Sequence, residues 1–204
     1  IGEVIAVADQ MGWERFALLG HSRGAIISGL IAGTFPDRIT QVALIDGYVP
    51  MPHDADNAAK QVMKAIRENK RFGGASPTHF PDFDRAIQAR VNGFVPLQLE
   101  AATLLANRGV AEGPRGYYWA NDQRLKAASF VKFSKEHLEG FFTAIIARVL
   151  LIQAENSAFS PDRQQSELFG WVPHMQIQKM PGSHHLHLED EAEQVAKTIQ
   201  EFFV

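Results

Sequence analysis

The sequence predicts an α/β fold, a mostly parallel sheet with helices on both faces, interrupted by a mostly helical segment. Three observations carry this prediction. Residues 15–46 read strand, helix, strand, the pattern of one βαβ unit with a right-handed crossover. Two further apolar strand patterns, 148–153 and 174–180, precede a closing amphipathic helix. Between these two groups, residues 50–147 show helical periodicity without a buried-strand run.

Val4, Ile5, Val7, Ala8 and Met11 open the chain as one side of an amphipathic helix. Arg15-Phe16-Ala17-Leu18-Leu19 is a short apolar run between Gly12 and Gly20, which suits a strand buried on both faces of a parallel sheet. From Ala25 to Phe35 small and apolar residues recur at helical spacing, and Pro36-Asp37 stops them. Gln41 to Ile45 is the second buried strand, and Asp46 stands at its end. Helical patterns follow at 55–70, 83–91, 97–107 and 134–146. Gly116-Tyr117-Tyr118-Trp119-Ala120 interrupts them as a hairpin-like piece. A short helix is expected after Ser160-Pro161-Asp162, and Asp190 to Phe203 closes the chain as an amphipathic helix. The expected division is a core of 1–49 and 148–204 with a helical cap of 50–147.

Composition narrows the function. With 46% hydrophobic and 21% charged residues among 204, the chain is an ordinary folded domain rather than a disordered or membrane protein. Twenty Lys and Arg against 23 Asp and Glu leave a net charge of -3, which offers no field for a nucleic acid. No apolar run reaches the roughly 18–20 residues that span a bilayer. The absence of cysteine excludes a disulfide framework, a thiolate zinc site and a cysteine nucleophile. The chain opens at Ile1 inside a helical pattern, so residues are expected upstream. The expected location is the cytoplasm, with a leader ahead of Ile1 left open.

The chemistry concentrates at Gly20-His21-Ser22-Arg23-Gly24, a G-x-S-x-G string between a strand and a helix. Such a turn lifts the serine above the sheet edge in a strained conformation, with glycines where side chains would collide. The helix N-terminus places positive dipole where an oxyanion would form, and the backbone N–H of Arg23 is a candidate donor to it. A serine nucleophile needs a base. Pro181-Gly182-Ser183-His184-His185-Leu186-His187 puts histidines in the loop after the last strand, and His184 is the candidate. His185 and His187 read as packing or capping residues, and no metal site is expected because no partner stands at ligand spacing.

Two positions compete for the acid that orients the histidine. The loop after the strand at 148–153 is the commoner location, and Glu155 is its carboxylate there. Asp46 would emerge at the same sheet edge as Ser22 and is favoured, although Asp before Gly47 also suits a plain turn. Asp162 reads as the start of a helix.

The segments Leu18 to Ala25, Ala32 to Ile39, Leu44 to Gly47 and Gly182 to Glu189 resemble the capped α/β-hydrolase superfamily. The chain is similar more narrowly to the serine hydrolase-like (kraken-type) esterases, over nearly its whole length including the cap stretch from Gly116 to Leu125. That resemblance implies Ser22 as nucleophile, His184 as base and support for Asp46, since the group tends to carry Asp at that strand end. The family also starts with further strands and a His-Gly loop that donates the second oxyanion N–H, and these are missing from the sequence. The expected activity is hydrolysis of a small carboxylic ester through an acyl-enzyme, without cofactor. His21, Phe94, Trp119 and Phe130 are the candidate substrate contacts, Tyr117 and Tyr118 lie beside them, and an apolar acyl or alcohol group would suit them. Cleavage of a thioester, a lactone or a carbon–carbon bond, or a non-catalytic binding role, stands as the alternative. Oligomeric state is left open.

Overall fold

In the computed structural model, residues 1–157, 159 and 166–204 are described. The helix expected after Ser160-Pro161-Asp162 therefore falls outside the described residues. The chain forms two compact units, one of Ile1–Pro52 with Phe133–Val204, the other of His53–Lys132.

The first unit is built on four parallel strands. They are β1 (Phe16–His21), β2 (Ile39–Ile45), β6 (Arg148–Ala154) and β7 (Gln176–Met180), in that spatial order. Three helices flank them: α1 (Gly2–Gln10), α2 (Arg23–Thr34) and α7 (Ala192–Phe203). The alternation of side chains along each strand divides the core in two. Val42, Leu44, Val149 and Leu151 face α2, packing with Ile31 and Phe142. Ala43, Ile45, Leu150 and Ile152 face the other way, onto Val195 and Phe202 of α7 and onto Leu186. Because β2 and β6 are covered on both faces, they read as continuous apolar runs.

β1 departs from the expectation of two buried faces. Phe16 and Leu18 pack against the core on the α2 side, whereas Ala17 is exposed and Leu19 is 54% exposed. The α7-side core takes its residues from β2, β6 and β7 and none from β1.

A second departure concerns the cap boundary. The helical pattern at 134–146 forms α6 (Lys135–Thr143), which belongs to the first unit and lies against α2. Leu138 and Phe142 are fully buried there, and the Phe142 ring meets Tyr48 edge-on at 5.0 Å. Gly33 of α2 makes the approach possible, since a Cβ at that position would collide with the Phe141 carbonyl. The second unit is thus shorter than expected, 53–132 instead of 50–147.

That unit holds α3 (Ala58–Phe72), α4 (Phe83–Val91) and α5 (Leu99–Gly109) with a small antiparallel sheet. β4 (Val110–Gly113) and β5 (Gly116–Trp119) form the hairpin expected around Tyr117, and β3 (His79–Phe80) adds to the free side of β5. Among the described residues no helix is long and apolar enough to cross a membrane.

Candidate active site

The site forms where the carboxyl ends of β1 and β2 meet the loops after β6 and β7, the edge at which parallel sheets expose loop side chains. Two parallel strands in register, with His21 opposite Ile45, deliver Ser22 and Asp46 side by side. Both residues have left-handed backbone, φ 54° at Ser22 and φ 42° at Asp46. These are the only non-glycine residues with positive φ among the described residues, and such strain persists where surrounding structure enforces it. At Ser22 the backbone N–H donates to the Ile45 carbonyl at 2.9 Å, while its own carbonyl accepts from Ile26 N–H at 3.1 Å. Chain reversal between β1 and α2 is tight enough that a Cβ on Gly20 would strike the Gly24 carbonyl. Gly47 matters for a related reason: a Cβ there would strike the carbonyl of Ser22, so the turn after Asp46 is pressed against the serine turn.

Asp46 is buried, and three donors converge on its carboxylate. Ala154 N–H donates to Oδ1 at 3.1 Å, and the Ser157 hydroxyl and His184 Nδ1 both address Oδ2, the latter at 2.6 Å. An ionised carboxylate only accepts, so His184 Nδ1 carries the proton in this contact and Nε2 is left as the basic nitrogen. Both side chains of the pair are about 5% exposed, in a setting where a charge-assisted hydrogen bond is strong. Glu155 is placed differently. Its side chain is exposed and its backbone N–H donates to the Met180 carbonyl, extending the β6–β7 pairing.

Three further imidazoles gather around the base. The His21 ring lies 4.6 Å from His184, 5.3 Å from His185 and 4.1 Å from His187. His21 Nε2–H donates to the backbone carbonyl of His184 at 2.9 Å, so the residue before the serine holds the main chain that carries the base. Burial lowers the His21 pKa, against the hydrogen bond to the His184 carbonyl, which raises it. His187 is pushed down to about 3, by burial first and then by the positive charge that His21, His185 and His184 would carry. Its Nδ1 is buried with no hydrogen-bond partner among the described residues. Both shifts favour the neutral imidazole at His21 and His187. Among the described residues no group of three or more His, Cys, Asp or Glu is arranged to hold a metal ion.

Phe94, Trp119 and Phe130 belong to the second unit. Trp119 is tied into it, with its indole N–H donating to the Ala86 carbonyl at 3.1 Å and the Arg90 guanidinium over its ring. Phe94 is 94% exposed and Phe130 is half exposed, which marks them as surface apolar groups in that unit. Arg23 opens α2, where its backbone N–H belongs to the positive end of the helix. Sequence reasoning missed the roles of Ser157 and Gly47. A serine in a loop carries no signal of its own, whereas Gly47 was visible beside Asp46 but read only as a turn former.

A family model described as the alpha/beta hydrolase fold matches residues 3–191. The chain is 27% identical to Serine hydrolase-like protein 2 of Homo sapiens over 218 residues, covering 99% of the chain and 69% of that protein. It is 21% identical to a Serine hydrolase-like protein of Danio rerio over 211 residues, covering 99% of the chain but 64% of that relative's length. The crystal structure of a hypothetical protein from Pseudomonas aeruginosa PAO1 superposes with a TM-score of 0.91 at 37% identity, over 98% of this chain and 72% of that one. The thioesterase domain from the curacin biosynthetic pathway shares the fold, with a TM-score of 0.79 at 18% identity over 97% of this chain and 71% of its own.

Proposed function

Since the chain belongs to the α/β-hydrolase family, and within it resembles serine hydrolase-like proteins, we propose that it hydrolyses a carboxylic ester through Ser22, His184 and Asp46. The observation that carries this reading is the buried 2.6 Å contact between His184 Nδ1 and Asp46, one residue beyond the strand that neighbours the serine turn. Ser22 Oγ attacks the ester carbonyl carbon while His184 Nε2 takes its proton. The tetrahedral oxyanion is met by the backbone N–H of Arg23. His184 then gives the proton to the departing alcohol, leaving an acyl-serine. Water, deprotonated by the same nitrogen, releases the acid and restores the serine. Asp46 keeps the imidazole in the productive tautomer and offsets its charge when protonated.

Asp46 is preferred to Glu155 as the acid, because the Glu155 carboxylate is exposed while His184 is already engaged. His21 is assigned to holding the base loop rather than to substrate, since its Nε2 is committed to the His184 carbonyl.

A fluorophosphonate probe tests the reading, applied to wild type, Ser22→Ala, His184→Ala, Asp46→Asn and Glu155→Gln, together with short and long p-nitrophenyl esters. Labelling is expected in wild type and Glu155→Gln, to be lost in Ser22→Ala, and to be sharply reduced in His184→Ala and Asp46→Asn. Absence of labelling in folded wild type would turn the reading toward a binding protein. Labelling without ester turnover would direct attention to thioesters, lactones or carbon–carbon bonds, which the same three residues can cleave.

A further inference from the structure

The triad reading leaves the loop after β6 without a catalytic group, yet that loop supplies the third donor to the acid. Ser157 Oγ accepts the backbone N–H of Phe159 at 3.0 Å. With its acceptor side so engaged, the hydroxyl proton points to Asp46 Oδ2, the same oxygen that receives His184 Nδ1–H. Phe159 completes the arrangement on the other side, its ring 4.7 Å from the His184 ring. Ser157 and Phe159 thus clasp the Asp46–His184 pair from a strand end where many members of this fold place the acid itself.

We propose that Ser157 is a positioning residue for the proposed triad: its hydroxyl fixes the Asp46 carboxylate so that Oδ2 meets His184 Nδ1. Three arguments support the role. Asp46 has strained backbone, so its carboxylate is aimed by partners rather than by a relaxed main chain. Of its three donors, Ala154 N–H is bound into β6 and addresses Oδ1, which leaves the Oδ2 direction to the Ser157 side chain. Asp46 itself is also buried, so its Oδ2 left without a donor there is costly, although Ser157 is only half-buried.

The inference rests on the serine hydrolase reading for its kinetic consequence but not for its geometric one, and the test separates them. The proton shared by His184 Nδ1 and Asp46 should give a far-downfield resonance in the full chain. Ser157→Ala should move it upfield and broaden it by exchange, while Ser157→Thr, which keeps the hydroxyl, should preserve it. In parallel, Ser157→Ala should lower kcat for a short p-nitrophenyl ester about tenfold with KM within about twofold, and Ser157→Thr should retain most of kcat. Thermal melts of both variants confirm that they fold. A Ser157→Ala spectrum with the resonance unmoved overturns the proposal, as does a wild-type spectrum lacking it. If wild type shows the resonance but neither labels at Ser22 nor turns over esters, the hydrolase reading fails while the resonance still decides the role of Ser157.

Discussion

Asp46 and Gly47 occupy two adjacent positions with different duties. Asp46 is bound to a histidine 138 residues away in sequence, and that pairing defines the first prediction. Asp46→Asn preserves shape but replaces the acceptor of the His184 Nδ1 proton with an amide that can impose the wrong tautomer. In the serine protease triad such a change costs about 10⁴ in kcat, and here kcat/KM for a p-nitrophenyl ester should fall about 10³–10⁴-fold, with Glu155→Gln within about twofold of wild type. Equal losses in the two variants would return the acid to the loop after β6. Gly47 acts sterically. Gly47→Ala drives a methyl into the Ser22 carbonyl, so it should displace the serine turn and cost about 1–3 kcal/mol of stability, as overpacking commonly does. Urea denaturation reads the stability, and probe labelling reads the serine. The sequence favoured Asp46 over Glu155 but kept both, because the choice depends on which carboxylate lies within reach of His184 across the sheet. Ser157 stands in the loop where the acid is commonly found, but a role that exists only through the side chain it touches could not be read from the sequence.

At the scale of elements, strands were legible and partnerships were not. β2 and β6 announce themselves because two layers of helix force apolar residues at every position. β1 has the same appearance in sequence, yet Ala17 and Leu19 are exposed. α6 was recognised as a helix and given to the wrong unit, because amphipathic spacing identifies a buried face without naming what covers it. The cover is α2, approached over Gly33. The third prediction belongs to this contact. Phe142 is fully buried against Tyr48 and Trp171, so Phe142→Ala should remove about 3–5 kcal/mol of stability in urea denaturation of the whole chain. Truncating Phe130, half exposed in the other unit, should cost well under half as much, since little area is lost from its burial. A small loss at Phe142 would show that α6 is only loosely docked. The β3–β5 pairing was illegible for a simpler reason, because a strand of two residues has no period.

For the whole molecule, the histidine cluster couples the site to global stability. His187 has its pKa lowered from 6.5 to about 3 in the fold, by burial and then by His21, His185 and His184, with Asp46 pulling weakly the other way. The His21 pKa is lowered too, again mainly by burial. A depressed folded pKa means that the unfolded chain binds more protons in the window between the two values, so folding stability must drop as pH falls through it. Well above pH 6.5 His187 is neutral in both the folded and unfolded chain and contributes no slope; as pH falls through 6.5 toward about 3 the fold loses stability progressively. His187→Gln keeps a polar side chain of similar reach and removes the titration. The urea midpoint of the wild type should therefore fall more steeply between pH 6.5 and pH 4 than that of His187→Gln, with the two curves parallel above pH 7. Parallel curves through the acid range would mean that His187 is protonated inside the fold, which requires a partner for its ring that the packed imidazoles do not supply. The same drop links stability to function, since the imidazoles that resist protonation lie against the one histidine whose proposed task is to accept a proton.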